Sequence, residues 1–338
     1  MLRSREPSAE ERDGSPDSSS RLAPRAVLVQ TVVALTFVAA VPAAGGLLSG
    51  LVSGGRWPFV VGTYPRLAEL FTLSVAAVAL AALGRRRSAA AAGLLALLAA
   101  STVVLALTRA LPDPQAAAGP DRLRVAVFNT GWRNDDVPAI AGALRAAEPD
   151  VAILPESRDV VAGLSAALPG WVRLGAREAG AAWPPPVVFA RQRLPARAIE
   201  LNGTRQALQV TVPLGALTVE LFAAHPLPPV TRRWAKAHDA AFAALTAAVA
   251  AQRGPVVLAG DLNATPWTPT LQRIMEAAGL TGATVQGTFE LPVLGPSLDH
   301  VLHSEELVTV SRALGPFAGS DHRLLVVELA PATEPKTP

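Results

Sequence analysis

The sequence contains no cysteine, which excludes both a disulfide framework and a thiolate metal site. Lysine is scarce beside abundant alanine, arginine, proline and glycine, a bias that carries no functional information. No repeat at a fixed period is present. An overall excess of basic charge is also missing where a general nucleic-acid binder would need it. The formal charge is +3, but residues 1–119 hold 11 Lys and Arg against 7 Asp and Glu, whereas residues 120–338 hold 19 against 20. What the chain does have is apolar sequence: half of its residues are hydrophobic, and they are unevenly spread.

Residues 1–25 are polar, charged and rich in Ser, Arg, Glu and Pro, the composition of a disordered tail. Three apolar runs follow. "AVLVQTVVALTFVAAVPAAGGLLSGLV" (26–52) and "SAAAAGLLALLAASTVVLAL" (88–107) are uncharged and long enough to cross a bilayer core, which takes roughly 20 helical residues. "LAELFTLSVAAVALAAL" (67–83) is shorter and carries Glu69. The pattern predicts about three transmembrane helices within residues 26–108, and thus contact with a lipid bilayer. The first run also reads as the apolar part of a signal peptide ending near "AAVPAA". Arg85-Arg86-Arg87, and Arg21 and Arg25 before the first run, favour the cytoplasmic side by the positive-inside tendency. The loop with Arg56 and Arg66 then faces outward. Everything after the third crossing is extracytoplasmic, on a multi-pass protein of the cell membrane whose tail, 1–25, is cytoplasmic.

Residues 109–121 form a Pro, Ala and Gly linker. From there the pattern is globular. "LRVAVFN", "DVAILPE", "PPVVFA", "RAIEL", "QALQVTV", "LTVELFAAH", "PVVLAGDLN", "SLDHVLHS", "LVTVSRAL" and "RLLVVEL" read as strands. "VPAIAGALRAAEP", "TRRWAKAHDAAFAALTAAVAAQRG" and "TPTLQRIMEAAG" read as helices. Residues 122–330 are therefore a mixed α/β domain, with 331–338 as a tail.

Polar residues recur at the strand ends. They are Asn129, Glu156, His225, Asp261 with Asn263, Asp299, and Ser320-Asp321-His322. Any one of these is ordinary turn chemistry. Several in one domain are harder to dismiss, because buried carboxylates and imidazoles are costly unless paired or bound to a cation. Carboxylate and amide oxygens without thiolates suit a hard cation such as Mg²⁺ or Mn²⁺. Imidazole supplies acid–base capacity near neutral pH. Together these groups suit attack on a phosphate ester.

The order of motifs resembles the endonuclease/exonuclease/phosphatase superfamily: Asn after the first strand, Glu after the second, a His, "GDLN", "LDHV" and a terminal "SDH". The resemblance covers roughly residues 122–330. It implies a four-layered α/β sandwich, two packed mixed sheets flanked by helices, behind the transmembrane helices. It implies Mg²⁺ or Mn²⁺ held by Glu156, with Asn129 and Asp321 near the metal. It further implies His322 as a phosphate contact and proton donor, oriented by Asp299, and Asp261 as the group that activates water. Asn263 and His225 would contact phosphoryl oxygens. Three positions depart from the family pattern. Pro155 stands where Gln usually precedes the metal glutamate, and Leu262 where Phe is common. The one tyrosine, Tyr64, falls in the membrane region, which leaves the family's phosphate-side tyrosine vacant or replaced. Trp132 and Arg133 are candidates to line the site. His300 should point to the other sheet face, His303 lies further along the Asp299 face, and His238 is expected on a helix surface.

The expected function is thus a membrane-anchored, extracytoplasmic, divalent-metal-dependent phosphoesterase acting on nucleic acid, lipid or a small phosphoester. Arg191, Arg193 and Arg197, and separately Arg232-Arg233, are the basic clusters available to such a substrate. The alternative is a catalytically inactive, membrane-tethered binding domain of the same fold.

Overall fold

The structure is a computed structural model that describes residues 26–36, 38, 57, 59–157, 160–175, 185–201, 206–290 and 295–333. The expected tail 1–25, most of the first apolar run, Arg56 and residues 334–338 lie outside the described residues.

Eleven strands form two sheets among the described residues. The first holds β1 (Leu123–Val127), β2 (Val151–Leu154), β3 (Val172–Leu174), β4 (Val187–Ala190), β10 (Leu307–Leu314) and β11 (Leu325–Pro331), in the order β10-β11-β1-β2-β4-β3. The second holds β5 (Ala196–Glu200), β6 (Gln206–Leu214), β7 (Leu217–Ala223), β8 (Val256–Asp261) and β9 (Asp299–His303), in sequence order. Each sheet has one parallel pair, β1–β2 and β7–β8, flanked by antiparallel neighbours.

The period-two alternation of the strands decides what lies between the sheets. Val125, Val127 and Ile153 from the first sheet meet Leu221, Val257 and Val301 from the second in one core cluster. The opposite faces are covered by helices. Ala126 and Leu154 pack with Ile140 and Leu144 of Val137–Ala147 and Leu164 of Val161–Ala167. Leu258 and Leu302 pack with Phe242 and Leu245 of Arg232–Ala250 and Ile274 of Pro269–Ala277. The result is the four-layered sandwich. Helix ends follow local chemistry: Asp136 accepts from Ala139 N at 2.9 Å, and Thr231 Oγ1 accepts from Trp234 N at 3.2 Å, both side-chain N-caps.

Ahead of the domain, helices Arg66–Ala82 and Arg86–Ala110 form a hairpin. Among the described residues, Arg86–Thr108 is the one helix long and apolar enough to cross a membrane. Ala26–Thr36 is a shorter apolar helix, and Arg66–Ala82 stops at 17 residues. Three spans are therefore not shown. The linker is laid against the domain, not free of it. Asp113 N donates to Thr309 O at 2.8 Å and Ala118 N to Pro331 O at 2.7 Å.

Candidate active site

The pairing pattern brings the polar strand ends together. In a parallel pair the carboxyl ends lie side by side, and an antiparallel neighbour begins where its partner finishes. Asp261 at the end of β8 is thus in register with Asp299 at the start of β9. His322 precedes β11, whose first residue, Leu325, pairs with Val127 at the end of β1. Asn129, Asp261, Asp299 and His225 continue the inward-facing positions of their strands, so their side chains enter the space between the sheets. Glu156 would fall on the other face by strict alternation. Its φ of 58° in the left-handed region turns the chain, and its carboxylate comes within 3.6 Å of His225 Nε2.

Asp261 is the hub. Its Oδ2 accepts from Asn129 Nδ2 at 2.8 Å and lies 3.5 Å from His225 Nε2 and 3.8 Å from His322 Nε2. Its Oδ1 accepts from the Asn263 backbone at 3.0 Å. His322 Nδ1 pairs with Asp299 Oδ2 at 2.8 Å, which leaves Nε2 facing Asp261. Asn263, at φ 48°, donates from Nδ2 to Pro226 O at 3.0 Å. Gly260 permits this crowding, since with φ 145° any Cβ there would collide with the Ala224 carbonyl. Residues 129 and 320–322 are stitched together. Ser320 Oγ donates to Asn129 O at 2.7 Å and accepts from His322 N at 3.0 Å.

All these groups except Glu156, Ser320 and Asp321 are buried. Burial alone would lower the His322 pKa, but the charges of Asp299, Asp261 and Asp321 outweigh it and push it up to about 10. Burial would raise Asp261; the facing His322 and His225, with the Asn129 hydrogen bond, hold it well below the usual carboxylate range instead. Burial, reinforced by the charge of Asp261, raises Glu156 against the opposing pull of His225 and Asn129.

The residues fit a divalent cation. Carboxylates of Glu156, Asp261 and Asp299, with Asp321 at the rim, face only two imidazoles, so negative charge is in excess. Asp299 Oδ1 is fully buried without a hydrogen-bond partner, a costly state that a cation nearby relieves. Asp261, Asp299 and His322 present ligand atoms within 4.8 Å of one another. His322 Nδ1 is nonetheless engaged with Asp299, so we read that trio as a charged hydrogen-bonded unit. Glu156, only partly buried and hydrogen-bonded by Asn129, is the better holder of a metal.

Seven expected residues thus converge: Asn129, Glu156, His225, Asp261, Asn263, Asp299 and His322. Asp321 is exposed beside them, with Oδ1 at 3.3 Å from Ser320 Oγ. Trp132 and Arg133 are exposed on the loop after Asn129. His300 faces the other side of its sheet, as alternation requires. It accepts from Thr284 N at 3.0 Å and contacts Ala264 O at 2.8 Å, and burial lowers its pKa to about 4. His303 is buried at the far end of β9 against Ser304 and Thr309. His238 corrects the expectation of a surface residue. It is buried, and Nδ1 meets Leu227 O at 2.8 Å, tying the long helix to the loop after His225. Arg191 lies at the opposite end of its sheet, over Trp171 at 4.3 Å.

Two site residues escaped sequence reasoning. Phe289 packs edge-on against His322, with centroids 4.8 Å apart; nothing in its flanking sequence marks it. Tyr64, assigned to the membrane region, donates its hydroxyl to the Asn263 carbonyl. Burial, with the charge of Asp261, raises its pKa well above that of free tyrosine, which keeps it a donor.

A four-layered sandwich with a histidine–carboxylate centre at the shared strand edge is the phosphoesterase fold of the nuclease and phosphatase type. The chain belongs to the endonuclease/exonuclease/phosphatase family, whose model matches residues 126–322. Members of that family hydrolyse phosphoester bonds, generally with a divalent metal. An endonuclease/exonuclease/phosphatase from Beutenbergia cavernae is 20% identical with a TM-score of 0.50, covering 64% of this chain and 74% of that one. The catalytic domain of human Nocturnin, with a bound sulfate anion, is 17% identical with a TM-score of 0.52, covering 66% and 100%. At these identities the likeness is one of fold. No curated protein matches the sequence.

Proposed function

We propose that this protein is a divalent-metal-dependent phosphoesterase held at a membrane by its N-terminal helices, with the catalytic domain on the extracytoplasmic side. The observation that carries the enzymatic reading is the His322–Asp299 pair, 2.8 Å apart, set against Asp261 with His225 and Glu156 beside it. An inactive binding domain has no use for so much buried, mutually dependent charge.

Glu156 would hold Mg²⁺ or Mn²⁺, with Asn129 and Asp321 alongside. When bound, the cation polarises a phosphoryl oxygen and offsets the negative charge of the site. The remaining steps fall to the chain. Asp261, ionised at neutral pH, accepts a hydrogen bond from the attacking water and sets its direction. It takes the proton as the new O–P bond forms. Asp299 fixes the His322 ring, so a protonated Nε2 faces the reacting centre and gives its proton to the leaving oxygen as the old P–O bond breaks. His225 and the Asn263 amide supply donors to the phosphoryl oxygens.

The rim supports an amphiphilic, anionic substrate. Trp132, on the loop after Asn129, and Val230 and Trp234, on the segment after His225, are exposed large apolar side chains. Arg232, Arg233 and Lys236, on the first turns of the helix that carries Trp234, line an open hollow of about 570 Å³. A phospholipid headgroup suits that mixture, and a domain tethered near a bilayer is placed to meet one. Support for the tether comes from the hairpin. Phe71, Val75, Val78, Leu94, Leu97 and Leu105 are all exposed apolar residues on it. Its Arg85–Arg87 turn lies at the end away from the domain, the arrangement the positive-inside tendency requires.

The test is hydrolysis by the full chain in detergent or vesicles, with Mg²⁺ or Mn²⁺, of phospholipids, plasmid DNA and a nitrophenyl phosphodiester. His322→Ala should lower turnover by on the order of 10²–10⁴. Glu156→Ala and chelation should abolish metal-dependent activity, and added Mg²⁺ should restore the chelated wild type only. Full activity in both variants would sink the assignment.

A further inference from the structure

The N-terminal segment reaches the catalytic machinery. Thr63, Thr265 and Thr268 are each fully buried, and their hydroxyls satisfy one another. Thr63 Oγ1 lies 3.0 Å from Thr268 Oγ1, which lies 3.0 Å from Thr265 Oγ1. Thr265 Oγ1 donates to Thr63 O at 3.2 Å, and the Trp267 indole N–H donates to the same carbonyl. Trp267 and Val285 of the domain share an apolar cluster with Leu67, Leu70, Val103 and Ala110 of the hairpin. Arg312 adds a bond to Ala110 O at 2.7 Å. Withdrawing the segment would remove the partner of the Trp267 indole N–H and break the contacts of Thr265 and Thr268 with Thr63, each a hydrogen bond lost.

This docked loop is the continuation of β8, which carries Asp261. Tyr64 binds its first residue after Leu262, donating to the Asn263 carbonyl. Asn263 stands at φ 48°, a left-handed conformation that asparagine tolerates, so what its amide needs from outside is a fixed direction. Three bonds supply it: its own N–H to Asp261, its Nδ2 to Pro226, and the Tyr64 hydroxyl on its carbonyl.

We propose that Thr63 and Tyr64 complete the active site. Tyr64 is a positioning residue that holds Asn263 in its left-handed conformation, so the domain is fully assembled only with the hairpin docked. This rests on the phosphoesterase reading for its catalytic half and on geometry alone for the docking half. Two experiments on the full chain separate them. The first uses the natural absence of cysteine. The double variant Thr63→Cys/Thr268→Cys carries two thiols where two hydroxyls lie 3.0 Å apart, close enough to pair. Mild oxidation should remove both free thiols within one chain. Thiols that stay free would overturn the docking.

The second is kinetic. Tyr64→Phe deletes one hydroxyl and should lower kcat by on the order of ten-fold with KM unchanged, from the loss of one buried hydrogen bond. Added to Asn263→Ala, it should cause no further loss, because its effect runs through Asn263. Wild-type kcat in Tyr64→Phe, or additive losses in the double variant, would overturn the positioning role. A wild-type chain that turns over nothing, beside a Thr63→Cys/Thr268→Cys variant that does cross-link, would overturn the phosphoesterase reading, and the positioning role with it, while the docking stands.

Discussion

His322 shows how a single side chain acquires its chemistry from its neighbours. A free imidazole titrates at about 6.5; this one is raised to about 10 by Asp299, Asp261 and Asp321 against the effect of burial. It is therefore a proton donor at neutral pH and a poor base. Because the folded value lies above the unfolded one, its contribution to stability is fully present below about 6.5 and is lost as pH rises through about 10. Asp299→Asn removes the first of the raising charges. The alkaline limb of kcat should then move toward neutral pH, read from pH–rate profiles of the variant and wild type on a substrate with a poor leaving group. An unmoved limb would show that Asp299 does not set the His322 proton. The identities of Asp299 and His322 were legible in the "LDHV" and "SDH" motifs. The raised pKa was not, since it depends on a distance between residues 23 apart in sequence.

At the scale of elements, the strand assignments from alternation match the observed strands closely, because alternation reports burial of one face. Val161–Ala167 and Val172–Leu174 were not read from sequence. Each is too short to show a period, and each is defined by packing on neighbouring strands. Strand ends carry the site, so their backbone geometry matters more than their propensity. Gly260 is the most exposed to test. With φ 145° and the Ala224 carbonyl in the way of any Cβ, Gly260→Ala must spread β7 from β8 at the point where His225 meets Asp261. The expected cost is of order 1–3 kcal/mol in denaturant unfolding, with a loss of turnover of about 100-fold or more. Wild-type activity would mean that the His225–Asp261 spacing of 3.5 Å is not needed.

The whole molecule joins an apolar hairpin to a polar catalytic edge. Arg66–Ala82 is about 25 Å long at 1.5 Å per residue, so its two ends sit far apart. Tyr64 and Ala110 are at the domain end and Arg85–Arg87 at the other. If the hairpin spans a bilayer, those two ends lie on opposite sides. In intact cells, a membrane-impermeant maleimide should label Glu305→Cys, an exposed site on the domain, and should leave Arg86→Cys unlabelled until the membrane is permeabilised. The chain should also stay with the membrane after an alkaline wash. The reverse labelling pattern would invert the topology, and release by the wash would remove the anchor.

By itself the sequence determined a mixed α/β domain and the polar residues at its strand ends, because both rest on short-range rules, while the four-layered sandwich was what the family resemblance implied. Alternation marks the buried faces, caps and glycines mark the ends, and polar residues at strand ends stand out against apolar runs. Only the tertiary structure decided what comes from afar. It set Glu156 on the inner face through one left-handed residue, buried His238, placed Phe289 on His322, and brought Tyr64 onto Asn263 across almost two hundred residues. Those contacts arise from how separate elements pack, and no local pattern in the chain encodes the distance between them.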